Sequence, residues 1–227
     1  MKTWNRQPPA IPPFPGRRFA LALGTGIPFL AGLAVAISAV IGFDEAAIEN
    51  GFLEVTQTVF LALAVIFHLA AAVRYDDATR LLQIGAAILC TFFFLREFEV
   101  EPDEVSPILQ YLASRQARID LAILLVPLLG PYIVIRRTAI PVLLRYASRL
   151  GIWPFLLAAL LLAGGGMAEK LPQGGDSRNH WQFVEEFLEL LGYAVLLAFP
   201  LWLFRLAPGI EPGIGRAQQV LRQRSGS

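Results

Sequence analysis

The chain has 227 residues, 56% of them hydrophobic and only 16% charged, and its mean hydropathy of +0.56 is too apolar for a soluble domain of this size. The class that fits is all-α and polytopic in a membrane, while a single cysteine, Cys90, excludes an intrachain disulfide or a cysteine-pair metal site. The net charge of +1 is a balance of two segregated populations, so it does not mean that electrostatics are idle.

Residues 1–16 carry five prolines and little apolar surface, which suits an extended, polyproline-like tail rather than a packed element. Arg17 and Arg18 then open an uncharged run to Phe43. A twin-arginine signal could begin this way, but about 25 residues is longer than a signal core and long enough to span. Uninterrupted apolar length places further transmembrane helices at about Gly51–Val73, Leu81–Leu95, Ile119–Ile135, Ile152–Ala168 and Trp181–Phe204. The reading is a bundle of six spans over residues 17–206, followed by a basic tail at 207–227. Between the fourth and fifth spans, Thr138–Leu150 interleaves apolar residues with Arg145 and Arg149, the pattern of an interfacial helix.

Positive residues are retained on the cytoplasmic side. With both termini there, the inner segments hold 14 of the 19 basic residues, all except Arg96, Arg115, Arg118, Lys170 and Arg178. The outer face then receives 15 of the 18 acids, all except Asp76, Asp77 and Glu211. The predicted topology is therefore N-in and C-in in a bacterial-type plasma membrane. Because the arginines follow this rule, no nucleic-acid partner is needed to explain them.

The outer acids gather at helix ends. On the second span Glu54, Gln57 and Thr58 share a face. The third span closes on Arg96 and Glu97, the fourth opens with Arg118 and Asp120, and the fifth closes on Glu169 and Lys170 after three consecutive glycines. The last span has only 15 uncharged residues, Leu190 to Phe204, before Arg205. A hydrocarbon core about 30 Å thick needs about 20 helical residues, so this helix draws its first turns from the acidic stretch. That sets Gln182, Glu185, Glu186 and Glu189 as one stripe at or below the membrane surface, where ionised groups are costly and mark a site.

Glu49-Asn50 with Glu54 and Gln57, Leu95-Arg96-Glu97, Glu169-Lys170-Leu171 and Glu185-Glu186-x-x-Glu189 together resemble a family of uncharacterised bacterial multi-pass membrane proteins. The resemblance implies the same choice of residues and brings no activity with it. The chain departs from the family pattern at Glu99, Glu101 and Leu171-Pro172.

Like charges in a low dielectric require protonation, pairing with Arg96 or Arg118, or a bound cation. The first expectation is a divalent cation, calcium, magnesium, manganese or zinc, held by Glu54, Glu97, Glu185, Glu186, Glu189 and His180, with Gln57, Arg96 and Gln182 as accessory groups. A metal-bound water there could act on a lipid substrate, with a glutamate as general base. The second is proton or cation transport, although the polar line between Thr58 and His68 is empty and His68 suits a packed histidine. The third is a structural or regulatory subunit, with the lipid bilayer and a membrane protein as partners, whose acids only form ion pairs. No phosphate loop and no serine or cysteine nucleophile motif points to another chemistry.

Overall fold

The computed structural model of the chain describes residues 12–47, 51–75, 77–98, 106–168, 170 and 177–206. In chain order the helices are α1 (Arg17–Ile41), α2 (Phe43–Ala47), α3 (Phe52–Arg74), α4 (Asp77–Glu97), α5 (Pro107–Ala113), α6 (Arg115–Ile135), α7 (Ala139–Ser148), α8 (Trp153–Ala168) and α9 (Ser177–Leu206). Among the described residues there is no strand. Five of these helical stretches are long and apolar enough to cross a membrane by themselves, and a sixth crossing exists only if the bent pair α7 and α8 is one span. The expected interfacial helix and fifth span are present as the separate helices α7 and α8, with a sharp bend between them. α8 alone has 16 residues, about 24 Å of rise, which falls short of the hydrocarbon core.

The bend is 67° and has a local cause. Leu150, at φ 57°, follows α7 in the left-handed region. Its N–H donates to the Ala147 carbonyl at 2.9 Å, and the Gly151 N–H donates to the Tyr146 carbonyl at 2.9 Å, the paired bonds of a Schellman ending. A side chain at Gly151 would run into the Tyr146 ring, so glycine is required at this position by the packing of its neighbour.

α9 is the axis of the bundle. α3 and α8 flank it along its length, with α1 and α2 against its remaining sides. Its Tyr193, Phe199 and Leu203 are fully enclosed with Leu61 and Ala64 of α3, Cys90 of α4 and Ala158 of α8. Cys90 is a packing residue, as its apolar surroundings in the sequence suggest. α8 and α9 approach closely because each sets a glycine against a larger side chain of the other. A Cβ at Gly192 would lie 3.0 Å from Leu162 Cγ, and one at Gly165 would lie 3.1 Å from Glu189 Cγ. α6 stands apart, with Ala117 its one buried residue and Pro127 and Pro131 inside it. A lipid-facing helix with that sequence keeps its backbone bonds internal except at the prolines.

The end of the proline-rich tail is anchored instead of trailing free. Tyr146 Oη donates to the Pro13 carbonyl at 3.0 Å, and Trp153 Nε1 donates to the Pro15 carbonyl at 2.9 Å. Proline carbonyls have no intrachain ladder to join, so these two aromatic donors satisfy them. The basic segment at 207–227 and most of 1–16 lie outside the described residues.

Candidate functional site

Three helices bring polar groups together at the end of the bundle away from the termini. The run-in to α9 is helical from Ser177, so Gln182, Glu186, Glu189 and Tyr193 recur at four, three and four residues and share one face. α3 presents Gln57 to this face and α4 presents its last turn. Gln57 Nε2 donates to Glu186 Oε2 at 2.8 Å and to the Glu186 carbonyl at 2.7 Å. Gln182 Nε2 caps the Ala47 carbonyl of α2 at 2.8 Å.

The charged centre is Arg96. Its Nη2 reaches Glu189 Oε1 at 2.5 Å and Glu97 Oε1 at 2.6 Å, and Tyr193 Oη donates to Glu97 Oε1 at 2.8 Å. A second contact, from Arg96 Nη2 to Tyr193 Oη at 3.2 Å, closes the set. Glu189 is 5% exposed, and the Glu97 side chain 10%, whereas the Arg96 side chain is 46% exposed. The carboxylates are therefore inside and the guanidinium forms the lid. A long, weakly hydrated cation with a planar fork suits that position, since it can bridge two acids while its edge remains solvated.

Of the sequence-expected residues, Gln57, Arg96, Glu97, Glu186 and Glu189 are joined by these bonds. Glu54 lies on the same face of α3 as Gln57 and is half-buried. Glu185 is half-buried, and its carbonyl approaches Gly165 of α8. Both its charge and those of Glu97 and Glu189 are within reach of Glu186. His180 is elsewhere. Exposed on the first turns of α9, it borders a cleft of about 460 Å³ with Phe43, Asp44, Phe183 and Val184. Nine residues of helix set it about 13 Å along the axis from Glu189. Among the described residues, no group of three or more His, Cys, Asp or Glu side chains is arranged to hold a metal ion. The expected ligand set is thus divided between a guanidinium, an amide and a separate cleft.

The two other basic candidates do not join the centre. Lys170 is exposed. Arg118 stands on α6, where the neighbouring Asp120 accepts from Tyr111 Oη at 2.6 Å and from Gln116 Nε2 at 2.8 Å. The phenol's bond to that carboxylate also holds the Tyr111 hydroxyl above its ordinary pKa. Glu49, Asn50, Glu99, Glu101, Asp103, Glu104, Glu169 and Asp176 lie outside the described residues. Tyr193 is not among the residues expected at this site from the sequence. Its four-residue offset from Glu189 was the signal that it belongs here.

A second polar cluster sits deeper. His68 Nδ1 is 2.6 Å from Gln83 Oε1, both side chains are fully enclosed, and the imidazole stacks on Phe155. This is the packed, interhelical histidine that the sequence suggests. Comparison with protein-family models, with curated proteins and with solved structures finds no match to the chain.

Proposed function

We propose that this chain is a structural or regulatory subunit of a membrane, in which the Arg96 network locks α4 to α9 and Gln57 ties α3 to the same helix. The observation that carries this reading is the double engagement of Arg96 Nη2, with Glu189 at 2.5 Å and Glu97 at 2.6 Å. Glu97 and Glu189 already have a cation in Arg96, so a metal would have to displace it. The basic ends of the spans support an outer-face position for the network by the positive-inside rule.

Purified full-length protein in lipid nanodiscs, melted with calcium, magnesium, manganese or zinc and again with EDTA, tests this reading. The expected result is an unchanged melting temperature throughout and no stoichiometric metal in the sample. A specific, saturable rise with one ion would overturn it in favour of the divalent cation site.

One observation favours that second reading. Glu186 is bonded to a neutral amide while the charges of Glu97, Glu185 and Glu189 act on it, so this carboxylate bears like-charge repulsion. A cation or a proton taken up at Glu186 would balance it. Action on a lipid would rest on that reading, with Glu186 as the carboxylate nearest an uncommitted state. A metal-dependent rise in melting temperature that Glu186→Gln abolishes is the result that would establish it.

A further inference from the structure

The opposite end of the bundle carries a different feature, independent of the carboxylate network. α1 and α9 run antiparallel and meet at their basic ends, where Phe19 lies against Trp202 with ring centroids 5.1 Å apart. From there a groove of about 340 Å³ extends between them. Phe19, Leu23, Ile27, Ala198 and Trp202 line it, and Arg205 is the one charged residue on its wall. Arg205 is exposed in the last turn of α9, and Arg17 and Arg18 are exposed in the first turn of α1, so three arginines lie at the same end of the helix pair, one of them on the groove wall.

The dimensions are those of one leaflet. On α9 the lining runs from Ala194 to Arg205, about 16 Å of helical rise, which is about half of a hydrocarbon core of about 30 Å. An apolar trough that begins at a cationic rim and ends near the midplane matches a lipid in outline and in charge. It has no acid on its wall to oppose a phosphate. Gly26 is on the wall, and a Cβ added there would meet nothing within 4 Å, so a larger side chain would project into open space.

We propose that this groove is a binding site for an anionic phospholipid, with an acyl chain between α1 and α9 and its phosphate held by Arg205 together with Arg17 and Arg18. Trp202, packed on Phe19, would sit where the glycerol region begins, the depth at which the amphipathic indole ring is favoured. Each arginine near an anionic headgroup is worth about a factor of five in partitioning. Three of them make the preference for an anionic over a zwitterionic lipid at least tenfold, allowing for shared counter-ions.

Native mass spectrometry of the full chain, released from detergent containing equal amounts of dioleoyl phosphatidylglycerol and dioleoyl phosphatidylcholine, tests the site. The wild type is expected to retain one phosphatidylglycerol at least tenfold over phosphatidylcholine. R17Q/R18Q/R205Q should lower that ratio to about one, and Gly26→Phe, which fills the trough without touching a charge, should remove bound lipid of both kinds. Thermal melts of each variant confirm that it is folded, and Gly26→Leu replaces Gly26→Phe if the larger ring is not accepted. Equal retention of the two lipids by the wild type would overturn the proposal. So would unchanged retention in the filled variant, which would mean surface charge alone, or a lipid-free dimer, which would mean that a second copy covers the groove.

Discussion

The bundle buries two polar clusters along the same helices, and they are built on opposite rules. At the end of α4, Arg96, Glu97 and Glu189 are ionisable, paired and partly open through the guanidinium. Deeper, where α3 and α4 run together, His68 and Gln83 form a fully enclosed contact between two groups that can both be neutral. Eleven residues separate Gln57 from His68 on α3, about 16 Å along the helix. The difference follows from depth. Charge is affordable near the surface, where one member of the network stays hydrated, and a neutral pair is what a dry, mid-helix position allows.

If that contrast is right, the two clusters should respond differently to losing a partner. Arg96→Gln removes the only guanidinium among them and leaves Glu97 and Glu189 facing each other. The expected loss is about 2–4 kcal/mol, below the top of the range for buried pairs because the Arg96 head is half exposed. Denaturant unfolding in mixed micelles would measure it, and a loss below about 0.5 kcal/mol would put the network among inert surface pairs.

For the deeper cluster, His68→Leu should cost about 1–3 kcal/mol by orphaning the Gln83 amide. His68→Leu with Gln83→Leu should recover most of that loss, because two apolar groups replace two buried polar ones that bond each other through one contact and leave His68 Nε2 and Gln83 Nε2 without a hydrogen bond. A double variant as unstable as the single would show that the pair has a further role, such as holding a water or a proton.

The packing around the charged cluster can be probed separately. Gly192→Leu drives a side chain into Leu162 of α8, with an expected loss of about 1–3 kcal/mol and no change in the response to Arg96→Gln. Glu186→Gln should have the smallest effect, within about 1 kcal/mol and stabilising in sign, since an amide keeps a bond to Gln57 while a like charge disappears. A marked destabilisation by Glu186→Gln would mean that its charge is balanced by something other than Arg96.

Much of this was legible in the chain. The apolar run after Leu190 is too short to span, and that alone placed Glu186 and Glu189 under the surface. Their four-residue offsets also put Gln182 on the same stripe. Which cation answers them was not legible, because Arg96, Arg118 and Lys170 all sit at helix ends. Side-chain reach decides among them, since Arg96 closes on Glu189 while α6 lies away from α9 and Lys170 is exposed beyond the end of α8. Inclusion of His180 failed for a related reason. Proximity in sequence to the acids does not survive nine residues of helical rise. The break between α7 and α8 was legible as the boundary between the interfacial helix and the fifth span, although the residue that takes the left-handed conformation is Leu150, where a glycine would have announced the turn. Gly151, next to it, was the remaining trace.

The most direct test of the central claim is a double-mutant cycle on Arg96 and Glu189, read as unfolding free energy in the same micelles. A lock between α4 and α9 predicts that Arg96→Gln and Glu189→Gln are strongly non-additive, with a coupling of about 1–3 kcal/mol. Additive losses, with each substitution indifferent to the other, would contradict it.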